Sequence, residues 1–146
     1  MKRLMLLALP LLLAGPAAQA KTNPTNLKWM DGPPGLPSGA KFAVVSGDPG
    51  KEGPFVIRIK MPANYAVPAH HHPTDERVTI LSGRAGYGMS DKLDRAKART
   101  ATSGQSLTMK AGMNHWVFTR SPATLQVSST GPFQIVYADP KDDPRK

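Results

Sequence analysis

From Phe55 onward the chain is cut into short apolar, β-branched segments, FVIRIKM, ERVTILSG, AGYGM, SLTMK, HWVFT, ATLQVSS and FQIVYA, separated by turn-forming residues. No helical period is sustained across them, so each segment reads as a strand. Many short strands imply an all-β sandwich or barrel, because either arrangement gives alternate side chains a common interior. A jelly roll fits best. The longest polar stretch, DKLDRAKARTATSG at residues 91–104, reads as an exposed connection rather than a helical turn around Leu93 and Ala96. No internal repeat is visible.

Upstream, Lys21 to Pro54 is punctuated by Gly and Pro (DGPPGLPSG, SGDPGKEGP), which predicts an irregular arm around one short strand at Lys41 to Ser46. No functional residue is expected in that arm. The first twenty residues have a basic start (Lys2, Arg3), an apolar run from Leu4 to Ala14 and the small-residue ending Ala18-Gln19-Ala20. That pattern reads as a secretory signal peptide, so export, to a bacterial periplasm, is expected. The run is shorter than the roughly 20 residues a spanning helix needs, and Pro10 interrupts it, so no stable membrane anchor is expected. With Cys 0 there is neither a disulfide nor a cysteine for lipid anchoring.

The expected organisation is therefore a signal peptide at 1–20, the arm at 21–53, one barrel at 54–140 and a polar tail at 141–146. The formal charge is +9, and the basic excess persists when the first twenty residues are set aside. An excess of this kind favours anionic surfaces or acidic ligands. The basic residues nevertheless sit singly along the chain, without a nucleic-acid arm, so no nucleic-acid partner is expected.

All four histidines fall in two places, His70, His71 and His72 in one run and His115 in another. In an extended strand, residues two apart point to one side, so His70 and His72 converge while His71 faces away. Glu76 follows after the turn formers Pro73 and Thr74 and adds a hard anionic ligand. Three imidazoles and one carboxylate make a mixed N/O set that suits one divalent ion of iron, manganese, nickel, copper or zinc, with positions left open for substrate.

These residues resemble the two motifs of the cupins. The first family motif is G, five residues, HxH, three or four residues, E, six residues, G; the chain reads Asn64-YAVPA-His70-His71-His72-PTD-Glu76-RVTILS-Gly83. Asn64 replaces the leading glycine, a mild departure, because Asn tolerates left-handed backbone. The second motif is G, five residues, PxG, two residues, H, three residues, N, against Gly104-QSLTM-Lys110-Ala111-Gly112-MN-His115-WVF-Thr119. Lys110 stands for proline and Thr119 for asparagine. The resemblance spans about Pro54 to Ala138. It implies a double-stranded β-helix with one metal inside, and it carries the ligand roles onto His70, His72, Glu76 and His115. The motif distances to Glu76 and Gly83 select His70 and His72 from the triple-His run.

Alternation places Val78 and Ile80 beside Glu76, and Val117 and Thr119 beside His115, as candidate walls; Trp116 and Phe118 face the other way, toward a second layer or a subunit interface. Tyr65, Tyr87 and Met113 lie near the motifs without a defined orientation. Arg58 and Lys60 share one face of FVIRIKM, expected to be the solvated outer one; on the inner face they would suit an acidic substrate.

The function that the resemblance implies is that of an exported metal-binding cupin acting as an oxygenase on a small organic molecule. In that reading Glu76 anchors the ion or, on detaching, takes a substrate proton. A non-catalytic small-molecule or metal-binding module and a non-redox metal-dependent isomerase or lyase are the alternatives, since one scaffold hosts many chemistries. The resemblance to small cupins also implies pairing into a homodimer through exposed strands.

Overall fold

Strict alternation of buried and open positions decides the layers. In Gly53–Met61, the side chains of Phe55, Ile57, Ile59 and Met61 are buried while Arg58 and Lys60 stand on the other face. The computed structural model describes residues 24–146; the expected signal peptide at 1–20 lies outside the described residues. Eleven strands follow in order: β1 Met30–Asp31, β2 Lys41–Ser46, β3 Gly53–Met61, β4 Ala66–His71, β5 Glu76–Ser82, β6 Arg84–Gly88, β7 Arg99–Thr102, β8 Ser106–Met109, β9 His115–Phe118, β10 Ala123–Gly131 and β11 Val136–Tyr137. All their pairings are antiparallel. They form a six-stranded sheet, β1-β2-β3-β10-β5-β8, and a five-stranded sheet, β11-β4-β9-β6-β7. The inner faces enclose the main core, in which Phe55, Ile57, Ile80 and Val127 are almost fully buried. Each such side chain contributes about 1.5–3 kcal/mol by leaving water. The expected all-β jelly roll is therefore the fold.

The strand of the arm spans Lys41–Ser46, as its sequence predicts, and is hydrogen-bonded to β3 within the larger sheet. Two segments differ from expectation. Residues 91–104 hold a 3₁₀ turn at Arg95–Lys97, capped by Asp94, which accepts from the Ala96 amide at 3.0 Å, and then strand β7. The sequence RTAT buries only Ala101, too little apolar alternation to announce a strand. In FQIVYA only Val136 and Tyr137 pair, because the Phe133 amide donates instead to the Pro49 carbonyl at 2.7 Å.

A second, smaller cluster lies outside the five-stranded sheet. Trp116, Phe118 and Ala69 are buried there beneath Leu93 and Ala98, so the polar 91–104 segment covers an apolar face. The rings need room. A Cβ on Gly86 would stand 2.4 Å from Phe118 and one on Gly88 2.1 Å from Trp116, so the two glycines of β6 form the bed on which the rings lie. The Trp116 indole N–H donates to the Ser90 hydroxyl at 2.9 Å. The expected second layer at Trp116 and Phe118 is thus made within the chain. No helix among the described residues is long and apolar enough to cross a membrane.

Candidate metal centre

His70 and His115 are direct partners across the β4–β9 ladder, which brings one imidazole from each motif face to face. Counting back by twos from His70 would point Pro68 inward. A register shift between Val67 and His70 resets the strand so that Val67 and His70 both face the interior, a bulge of the kind that re-aims side chains beside functional sites. His72 lies just beyond β4, and Glu76 opens β5 after the turn at Pro73 to Asp75. That turn is tied down by Asp75, which accepts from Lys110 Nζ at 2.8 Å and from the Ala111 amide at 2.9 Å. Lys110 and Ala111 thus tie the loop before His115 to the turn before Glu76.

The structure clusters the three predicted histidines and sets Glu76 beside two of them. His70, His72, Glu76 and His115 are buried. One nitrogen of each histidine lies within 4.8 Å of the others, and the Glu76 oxygens lie 3.6 Å from His72 Nε2 and 3.3 Å from His115 Nε2. Ligands about 2.1 Å from a common ion stand roughly 3 to 4 Å apart, so one cation fits among the three imidazoles with a modest contraction.

Hydrogen bonding fixes which nitrogen is offered. His70 Nδ1 donates to the Pro68 carbonyl at 2.7 Å, His72 Nδ1 to the Gln134 carbonyl at 2.6 Å and His115 Nδ1 to the Met113 carbonyl at 3.0 Å. A carbonyl only accepts, so Nδ1 carries a proton in each ring, and Nε2 is the nitrogen left to face the interior. Nε2 of His72 and of His115 is buried without a hydrogen-bond partner in the protein. Leaving two such acceptors bare costs about 1–3 kcal/mol each, and a cation is what removes the penalty. Burial, reinforced by His115 and His72, pushes His70 down to about 3, and burial likewise lowers His72. Burial alone would raise Glu76, but His115, His72 and His70 outweigh it and hold the carboxyl below its ordinary value. Neutral imidazoles and an ionised carboxylate are the protonation states a metal requires.

His71 faces outward, its Nδ1 donating to Asn114 Oδ1 at 2.9 Å, while Asn114 Nδ2 donates to Asp91 at 2.9 Å. Val78, Ile80 and Val117 line the cavity as expected. Thr119 does not. It is buried at the far end of the barrel, where its hydroxyl donates to the Pro62 carbonyl at 2.6 Å. Tyr65 and Tyr87 both line the cavity, whereas Met113 is exposed. Arg58 and Lys60 lie outside, Arg58 bonded to Gln126 at 3.2 Å and Lys60 4.0 Å above the Trp29 ring, so the acidic-substrate lining is absent.

Sequence reasoning missed Phe133, which stacks on His72 with ring centroids 4.6 Å apart, and Leu36, a wall residue from the arm in which no function was expected. The one available signal for Leu36 was a lone large apolar side chain in DGPPGLPSG.

By sequence, the chain matches no family model and no curated protein. By structure, it is similar to the polyketide cyclase RemF from Streptomyces resistomycificus, with 15% identity, 73% of this chain and 75% of that one covered, and a TM-score of 0.61. It is also similar to the DMSP lyase DddQ from Ruegeria pomeroyi, at 22% identity, 76% and 60% coverage and a TM-score of 0.60. An RmlC-like cupin from Shewanella frigidimarina aligns at 12% identity, 71% and 83% coverage and a TM-score of 0.57. Identities this low establish a shared fold.

Proposed function

Because the chain folds as a cupin barrel, we propose that it is an exported metal-binding cupin, that His70, His72, Glu76 and His115 hold one divalent ion, and that it acts as a metal-dependent oxygenase on a small organic molecule. The observation that carries this reading is the set of three clustered imidazoles, each held by Nδ1 on a backbone carbonyl, with Nε2 of His72 and His115 beside one buried carboxylate. A bound redox-active ion would supply Lewis acidity and a site at which dioxygen and an oxygen-bearing substrate meet.

The chain's own residues do the rest. The carbonyls of Pro68, Met113 and Gln134 fix the three rings, and the apolar walls keep bulk water from the centre. Glu76 is the buried carboxylate beside His72 and His115, and one of its oxygens would take a proton from substrate. Export rests on the pattern of residues 1–20 and is checked by the N-terminus of secreted protein.

The test is elemental analysis of purified protein beside His72→Ala, followed by oxygen uptake on phenolic and keto-acid compounds with iron, copper, nickel or manganese. One ion per chain in the parent and almost none in the variant is expected. Equal metal in both refutes the site; tight ligand retention without oxygen uptake favours the binding module, and oxygen-independent turnover the isomerase or lyase.

A further inference from the structure

Leu36 enters the barrel from a segment otherwise made of Gly, Pro, Ser and Asp, and two tyrosine hydroxyls hold the backbone on either side of it. Tyr137 donates to the Gly35 carbonyl at 2.8 Å, and Tyr65 donates to the Pro37 carbonyl. The turn is closed by the Leu36 amide on the Pro33 carbonyl at 2.8 Å and by the Gly32 amide on the Ala40 carbonyl at 3.0 Å. Gly35 packs on Ile135, whose Cδ1 would lie 3.5 Å from a Cβ placed there. Leu36 is thereby set against the cavity that contains the metal-facing side chains.

That cavity measures about 60 Å³. One water needs roughly 10–15 Å³ by the same measure, so the space admits a molecule of a few heavy atoms. Beyond the four metal-facing residues and Tyr65 and Tyr87, the lining is hydrocarbon and thioether, including Leu36, Ile59, Met61, Val78, Leu125 and Ile135. No Lys, Arg or Asp lines it among the described residues. The Tyr65 hydroxyl is already committed to Pro37.

From this lining we infer that the site takes a small ligand with a single oxygen-donor or monoanionic head for the metal and an apolar body, and that Leu36 sets the length of that body. The inference rests on the reading of the four side chains as a metal centre. A second ionised group on the ligand has no counter-charge in this lining, and burying it unpaired is strongly unfavourable. Each buried methylene, in contrast, gains about fourfold in affinity until the tail meets the Leu36 wall.

The probe is a series of monocarboxylates, acetate to hexanoate, beside malonate and succinate, titrated into the cobalt-loaded full chain. Binding is read from the visible bands of bound cobalt, and cobalt content from elemental analysis. Affinity is expected to rise along the monocarboxylates to a maximum and then fall, with the dicarboxylates about 100-fold weaker than the best of them. Leu36→Ala moves the maximum to a longer chain and Leu36→Phe to a shorter one, with cobalt content unchanged in both. Dicarboxylates bound as tightly as monocarboxylates, or an unshifted maximum in both variants, overturn the inference while leaving the metal centre standing. Crystals of the metal-free protein under xenon give a readout independent of the ion. Loss of cobalt from every protein, with xenon entering more fully in Leu36→Ala, overturns the metal reading and the head group assigned from it, and supports Leu36 as the wall.

Discussion

His70 and His115 stand directly opposite one another across the β4–β9 ladder, with ring centroids 4.4 Å apart. Two of the three inward imidazoles are therefore fixed by a single strand pairing, and a slip of one residue would send both to the outer face. His71, next in line, points outward to Asn114. Replacing His70 by Ala is expected to weaken metal binding about 100-fold or more, while His71→Ala leaves it within about twofold. Cobalt or zinc titration of both variants checks this, and equal losses at the two positions would assign the wrong histidine pair.

The site was legible because strand alternation and spacing act locally: His70, His72 and Glu76 lie within seven residues, and His115 is the one histidine outside their run. Strand β2 was legible for the same reason, as an apolar stretch between glycines and prolines. What the sequence left hidden depends on long-range backbone. The register shift at Val67 to His70 follows from pairing with β9, and strand β7 gains its identity from β6 rather than from RTAT. Gln134 and Met113 act through carbonyls, which carry no residue signature, and Leu36 reaches the cavity only because Tyr65 and Tyr137 hold its loop.

Phe133 braces the centre from outside the ligand set. It stacks on His72 at an interplanar angle of 19° and meets Phe55 edge-on at 5.2 Å. Phe133→Ala removes both contacts and loosens the loop that offers the Gln134 carbonyl to His72. A loss of about 2–3 kcal/mol of stability and of about tenfold in metal affinity is expected. Denaturant unfolding of the metal-free protein reads the first and competition with a chelator the second. Unchanged affinity with lowered stability would make Phe133 a packing residue only.

The glycines of β6 are required for space rather than for backbone freedom. Gly88→Ala drives a methyl into Trp116 and Gly86→Ala into Phe118, and each is expected to cost about 2–3 kcal/mol. Gly104 is the counter-case: its φ is +90°, yet nothing lies within 4 Å of an added Cβ. Gly104→Ala should therefore cost only the left-handed penalty, about 1–2 kcal/mol. Urea midpoints of the three variants, with metal content measured in parallel, separate overpacking from strain.

Acid should unfold the metal-free protein through its buried imidazoles. His70 has its pKa pushed down to about 3 by burial, whereas in the unfolded chain it returns to about 6.5. Between those values the unfolded state binds a proton that the folded state does not, so stability is complete above pH 6.5 and is lost as pH falls toward 3. His72 is shifted the same way by burial and adds to the slope. Each proton taken up costs about 1.4 kcal/mol per pH unit, enough to exhaust a domain's ordinary stability within a few units. Thermal unfolding between pH 7.5 and 4 is expected to show a level Tm down to about pH 6.5 and a steady fall below it. Bound zinc should hold Tm up near neutrality and lose its effect as protons displace it from the imidazoles. A Tm independent of pH down to 4 would mean that His70 takes up a proton as readily in the folded barrel as in the unfolded chain, contrary to its burial.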